Sequence, residues 1–290
     1  TPEYGKVFIA IESTTGNNLT ATEKSTLITA LSPFTVASIT PVIVDPQTTN
    51  LILNVNFQFD SSKTTETVTS LASKINTTLT NYNTTNLAQF DGAFRHSKVT
   101  GLIDDTDISI TSNITTVTLA HNLTPTLNTS KSYTIQLNNK FSNPHTEHNK
   151  AAGGILASTG FKVSGDASNV QFFDDDGAGN IRRYYLVAGV RQYQDNTAGT
   201  ITYSTGEIKI NNINITSVEE VDETASTFIR LTVQPDSLDV IPVRNQILKI
   251  DFVNTGIIGA IDTIATGDSS TGTSASAATT TSSYVTPSSY

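Results

Sequence analysis

Three adjacent carboxylates open the densest polar motif of the chain, Asp174-Asp175-Asp176-Gly177-Ala178-Gly179-Asn180. Closely spaced carboxylates with glycines can wrap a hard cation such as calcium through oxygen ligands. Asp174, Asp176 and Asn180 are the candidate ligands on that reading. The EF-hand pattern is not met, because no Glu closes the loop and no helix pair flanks it. The alternative is a hairpin loop between strands at Val170–Phe173 and Ile181–Val187, with Gly and Asn supplying positive φ.

A second constellation is His145, Glu147 and His148. Zinc binding by two imidazoles needs both on one face, as in a helical His-Glu-x-x-His. Asn143-Pro144 precedes this segment and Gly153-Gly154 follows, which favours a solvated loop. His96 and His121 stand alone. The chain has no Cys, so it offers no thiol nucleophile, thiolate metal site or disulfide. There is no Gly-x-Ser-x-Gly elbow, no Gly-x-x-x-x-Gly-Lys phosphate loop and no Gly-x-Gly-x-x-Gly fingerprint. Neither an enzyme nor a resident cofactor is expected.

Around the acidic loop lie Phe172-Phe173, Arg182-Arg183 and Tyr184-Tyr185. Strand alternation sends one member of each pair to each face of a hairpin. One face would then present aromatic and Arg side chains, the composition of interface hot spots. The competing reading buries both faces inside the domain.

The elements that position these groups fall into two regions. Residues 1–122 alternate strand and helix patterns. Residues 5–11 read as a strand apolar on both faces and therefore buried. A helix opens near Leu19-Thr20, capped by Thr20 or Thr22, with Leu27, Ile28 and Leu31 on its apolar face and Pro33 at its end. Residues 39–44 form a second strand. Across Asn50–Asp60, Leu51, Leu53, Val55, Phe57 and Phe59 alternate with polar residues, giving one buried and one wet face. Asn54, Asn56 and Gln58 on the wet face are interface candidates. A second helix spans about 64–82, capped by Thr64 or Thr65, with Val68, Leu71, Ala72, Ile75, Leu79 and Tyr82 in one stripe. A short helix near Ala93–Lys98 and a strand over 107–120 follow. The parity of Ile108 and Ile110 differs from that of Val117 and Leu119, which calls for a bulge or turn near Ser112-Asn113. This order predicts an α+β chain whose first domain is ferredoxin-like, βαββαβ.

From residue 123 the helical periods vanish. Strand-like runs at Tyr133–Leu137, Leu156–Val163, Val170–Phe173, Ile181–Val187, Glu207–Ile210, Phe228–Val233 and Leu248–Phe252 predict a β-rich sandwich or barrel-like domain over 123–253. Residues 254–290 are expected to be a C-terminal tail, of low complexity from residue 266.

Composition bounds the function further. The chain has 290 residues and a net charge of -9, with 15% charged and 37% hydrophobic residues. Thr, Ser and Asn number 49, 29 and 24, a balance that suits strands and turns. Seven Asn-x-Ser/Thr matches equal the chance expectation of about seven and carry no glycosylation signal. The 17 basic residues are scattered, against nucleic-acid binding, and no apolar run is long enough to span a membrane. Met is absent, so Thr1 is expected to be an internal position of a longer polypeptide.

Several segments resemble the baseplate wedge proteins of T-even-like contractile-tailed bacteriophages, in the baseplate-J-like group. They are residues 2–11 (PEYGKVFIAI), Phe90–Leu102 (FDGAFRHSKVTGL), Ile103–Ser109 (IDDTDIS), Val243–Phe252 (VRNQILKIDF) and Thr280–Tyr284 (TTSSY). The resemblance covers essentially the whole chain and implies the C-terminal part of such a protein. It implies a homodimer that links wedges into an inner ring around the hub and contacts other wedge proteins. It also implies a virion location, with assembly in the host cytoplasm, and it supplies no catalytic or ligand residue. The alternative from the residues alone is a glycan- or calcium-binding adhesion module of a virion.

Overall fold

The computed structural model describes residues 5–13, 18–35, 39–143 and 154–264. Strand β1 (Lys6–Ala10), helix α1 (Ala21–Leu31) and strand β2 (Thr40–Val44) form a small parallel unit, with Lys6 opposite Thr40 and Ala10 opposite Val44. Thr20 caps α1 through a reciprocal box. Its hydroxyl accepts from the Glu23 N–H at 3.3 Å, and its own N–H donates to the Glu23 carboxylate at 2.8 Å. A 3-10 turn over Ser32–Phe34, containing Pro33, ends the helix.

The long strand β3 (Gln47–Phe59) follows two residues after β2. Leu51, Leu53, Val55, Phe57 and Phe59 are buried while Asn54, Asn56 and Gln58 are exposed, as the period of two requires. Helix α2 (Val68–Tyr82) buries Leu71, Ile75, Leu79 and Tyr82. Its cap is Thr67, not Thr64 or Thr65. The Thr67 hydroxyl accepts from Ser70 N–H, whereas Thr64 closes a local turn with Glu66 N–H. Helix α3 (His96–Asp104) begins later than its sequence signal, and strand β4 (Ile110–Leu123) runs antiparallel to β3. The β3–β4 register slips between Gln58–Ser112 and Phe59–Ile110, which leaves Thr111 as the extra residue. This bulge is the parity switch, one residue before the expected place.

The remaining strands are β5 (Ser130–Gln136), β6 (Leu156–Ser158), β7 (Phe161–Val163), β8 (Asp166–Asp175), β9 (Asn180–Val187) and β10 (Val190–Thr202). They continue with β11 (Glu207–Val218), β12 (Ile229–Val233), β13 (Gln246–Ile250) and β14 (Gly256–Ile261). Pairings β7–β8, β8–β9, β9–β10, β10–β11 and β11–β7 close on themselves, so these strands make a barrel-like ring. The sheet then runs through β6 and β12 to β4 and β3, across the expected boundary at residue 122.

Among the described residues the expected ferredoxin-like sheet is not formed. Among those residues β1 and β2 pair only with each other, while β3 takes β4 on one edge and β13 and β14, both parallel, on the other. Burial explains the choice. β13 buries four of its five residues against the core, whereas Val7 and Phe8 of β1 stay about half exposed. An apolar run on both faces therefore did not mean a buried strand. β14 forms a paired strand within the stretch expected to be tail.

Candidate assembly surfaces

The acidic loop joins β8 to β9 in register, with Asp174 opposite Arg182 and Asp175 opposite Ile181. Gly177 and Gly179 turn the chain at φ 73° and 102°. The carboxylates are occupied by donors of their own chain. Asp174 accepts from Arg182 Nε at 2.9 Å and Nη2 at 3.1 Å, from Arg191 Nη1 at 2.8 Å and from the Tyr193 hydroxyl at 2.9 Å. Asp175 accepts from Leu156 N–H at 2.8 Å, Gly177 N–H at 3.2 Å and the Tyr203 hydroxyl at 2.6 Å. Asp176 accepts from the N–H groups of Ala178 and Asn180 and from Asn180 Nδ2 at 2.7 Å. Burial opposes the charge on Asp176, yet the bonds from Asn180 and Ala178 and the nearby Arg182 hold its carboxyl below the usual range. Burial first, then the bond to Asp175, pushes the Tyr203 hydroxyl up. Such bonding rigidifies a hairpin. Among the described residues no group of three or more His, Asp or Glu side chains is placed to hold a metal ion. His145, Glu147 and His148 lie outside the described residues.

Alternation divides the aromatic pairs as expected. Phe173 is buried and packs on Phe161 with ring centroids 4.6 Å apart. Phe172 lies on the opposite face, 5.6 Å from Tyr184, which lies 5.7 Å from Tyr193. Arg191 covers Tyr184 and Arg182 covers Tyr193, at 4.8 and 4.3 Å from the ring centroids. Burial raises the hydroxyls of Tyr184 and Tyr193. Arg183 and Tyr185 sit partly exposed, Arg183 donating to Gln171. The result is an aromatic–arginine ribbon in which Phe172, Arg191 and Tyr193 are partly exposed; of the expected interface residues, Phe173, Arg182 and Tyr184 are instead buried by their own chain. Leu186, Val187 and Val190 form an exposed apolar hairpin tip beyond it.

The second surface is the open face of β3. Asn54, Asn56 and Gln58 project from it between β14 and β4. The row through Asn56 is completed by Ile258 and Ile114, which are 66% and 70% exposed. The sequence pattern had not singled out Arg191, Tyr193, Ile114 or Ile258. A local hint of β10 was the strand-favouring Val190 and Tyr193 just after the turn at Ala188-Gly189.

A continuous β scaffold, an acidic loop whose carboxylates are bonded within the chain and two partly apolar surfaces fit the class of structural proteins. Residues 1–44 match the family model of baseplate structural protein gp6, C-terminal domain I, and residues 49–122 match that of its C-terminal domain III. These matches indicate a structural protein of a phage tail baseplate, a virion component in contact with other baseplate components. No curated protein matches the chain.

Proposed function

We propose that this chain is a baseplate-J-like wedge subunit that pairs with a second copy of itself and joins neighbouring wedges into a ring around the tail hub. The observation that carries this reading is the succession of two baseplate-protein matches along residues 1–44 and 49–122. The surfaces support it. Interfaces are enriched in Tyr, Phe and Arg and depleted in Lys and Glu, and the partly exposed members of the ribbon, Phe172, Arg191 and Tyr193, have that composition, while Arg182 and Tyr184 are buried and only support them. The amide row of β3 offers a second contact. The test is a reconstruction of the intact baseplate. The expected map shows this chain touching its own copy and chains of other wedge subunits. Copies that never touch one another overturn the reading.

A further inference from the structure

The open face of the β3 sheet has a pattern that fits itself. Three strands in register give three rows: Gly256–Asn54–Thr116, Ile258–Asn56–Ile114 and Ala260–Gln58–Ser112. The middle column is all amide, the flanks of the middle row are isoleucine, and the four corners are small. None of the nine positions carries a charge, in a chain of net charge -9. The side chains of Asn54, Asn56 and Gln58 have no hydrogen-bond partner among the described residues. They stand exposed beside two isoleucines that are about two-thirds exposed.

We infer that this face packs on the same face of a second copy, around a two-fold axis passing by Asn56. A face-to-face pair has its two-fold axis in the plane between the sheets, and an isologous contact brings each patch onto itself. With the axis along β3, Ile258 meets Ile114 and each amide meets its own copy. With the axis along the row, each isoleucine meets itself and Asn54 meets Gln58. Both arrangements place apolar on apolar and amide on amide. Amides suit this, because each offers both donor and acceptor. A charge near the axis would face its own copy, so the absence of charge favours a second copy over a charged partner. Small corners let the sheets approach to the usual separation of about 10 Å.

The grid covers about 300 Å², from strands about 4.8 Å apart and same-face residues about 6.8 Å apart. That is less than the roughly 800 Å² per partner of a standard interface. The contact therefore strengthens where other contacts hold the copies close. This inference rests on the self-pairing reading above and assigns a surface to it.

The experiment uses the full chain and sedimentation velocity over roughly 1 to 100 µM. Asn56→Asp and Asn56→Lys each place like charges opposite one another, and each is expected to weaken self-association about tenfold or more. An equimolar mixture of the two variants is expected to recover it to within a few-fold of the unaltered chain. Circular dichroism of the two exposed-face variants checks that both remain folded. If the unaltered chain associates but the variants are unaffected, or the mixture fails to recover, this face is wrong while self-pairing stands. If the unaltered chain stays monomeric throughout, the inference and the self-pairing of this chain both fall.

Discussion

The Arg182 guanidinium and the Asp174 carboxylate meet as a two-pronged fork across β8 and β9, with Nε on Oδ1 at 2.9 Å and Nη2 on Oδ2 at 3.1 Å. Both side chains are almost wholly buried, at 7% and 2% exposure. The pair ties the acidic loop to the aromatic ribbon, because Arg191 and Tyr193 reach the same carboxylate.

Removing one partner of a buried pair leaves an uncompensated charge, at a cost of about 3–5 kcal/mol. Asp174→Asn is expected to lower the urea midpoint accordingly and to weaken the near-ultraviolet signal of Tyr184 and Tyr193. Replacing both partners, Asp174→Leu with Arg182→Met, is expected to recover only part of the loss, because Arg191 and Tyr193 also lose the carboxylate they bond. A single variant as stable as the original would contradict the assignment.

Two titrations separate by pH. Burial lowers the His121 pKa, so protons bind the unfolded chain more readily. Stability from that source is constant above about pH 6.5 and declines as pH falls below it. Lys74 and Ser109 hold the Asp107 carboxyl down to about 2. That contribution is complete above about pH 4 and is lost as pH falls toward 2. Urea melts of Asp107→Asn are expected to differ from the original at pH 7 and to converge with it only at about pH 2 and below. A difference that does not change with pH would remove the Asp107 part.

Gly259 of β14 lies against Phe57 of β3, and a Cβ there would sit 2.3 Å from the ring. Phe57 is only 1% exposed and has no room to withdraw. Gly259→Ala is expected to cost about 1–3 kcal/mol through overpacking. Adding Phe57→Leu is expected to restore part of that, so the two changes are less damaging together than their sum. Strict additivity in thermal melts would show that the residues do not meet.

The β1–β2 unit is tied to the main sheet by an ion pair between Glu12 and Lys249 of β13, at 2.5 Å. Glu12→Gln is expected to speed amide exchange in Lys6–Ala10 and Thr40–Val44 while leaving Leu51–Phe59 unchanged. Equal exchange in both proteins would mean that the β2–β3 connection alone holds the unit.

Local patterns were legible where one element has one wet and one dry side. β3 and α2 were readable for that reason, and so was the bulge in β4 from the parity of Ile110 and Val117. The split of Phe172 from Phe173 followed from strand alternation alone. Pairing was not legible. Nothing local in Gln246–Ile250 or Gly256–Ile261 says that both lie on β3, about 200 residues earlier. β1 misled because its apolar residues depend on a neighbour that only β2 supplies. β10 escaped because Gln192 and Gln194 alternate with Arg191, Tyr193 and Asp195, so both of its faces are polar or amphipathic. The isoleucines beside Asn56 became neighbours only when three strands came into register.

The return of β13 and β14 onto β3 also sets an order of events in time. The ribosome delivers β3 early, but one edge of that apolar strand has no partner until β13 is made, and the half over Asn54–Phe59 stays open until Ile261 has been made. The central sheet therefore cannot close during most of synthesis. Contacts of such long sequence separation fold slowly and leave strand edges open to other chains in the interval. A chain cut before Gly256 is expected to collect in insoluble material, since it keeps the greasy ladder of Leu53, Val55 and Phe57 and lacks the strand that seals its side.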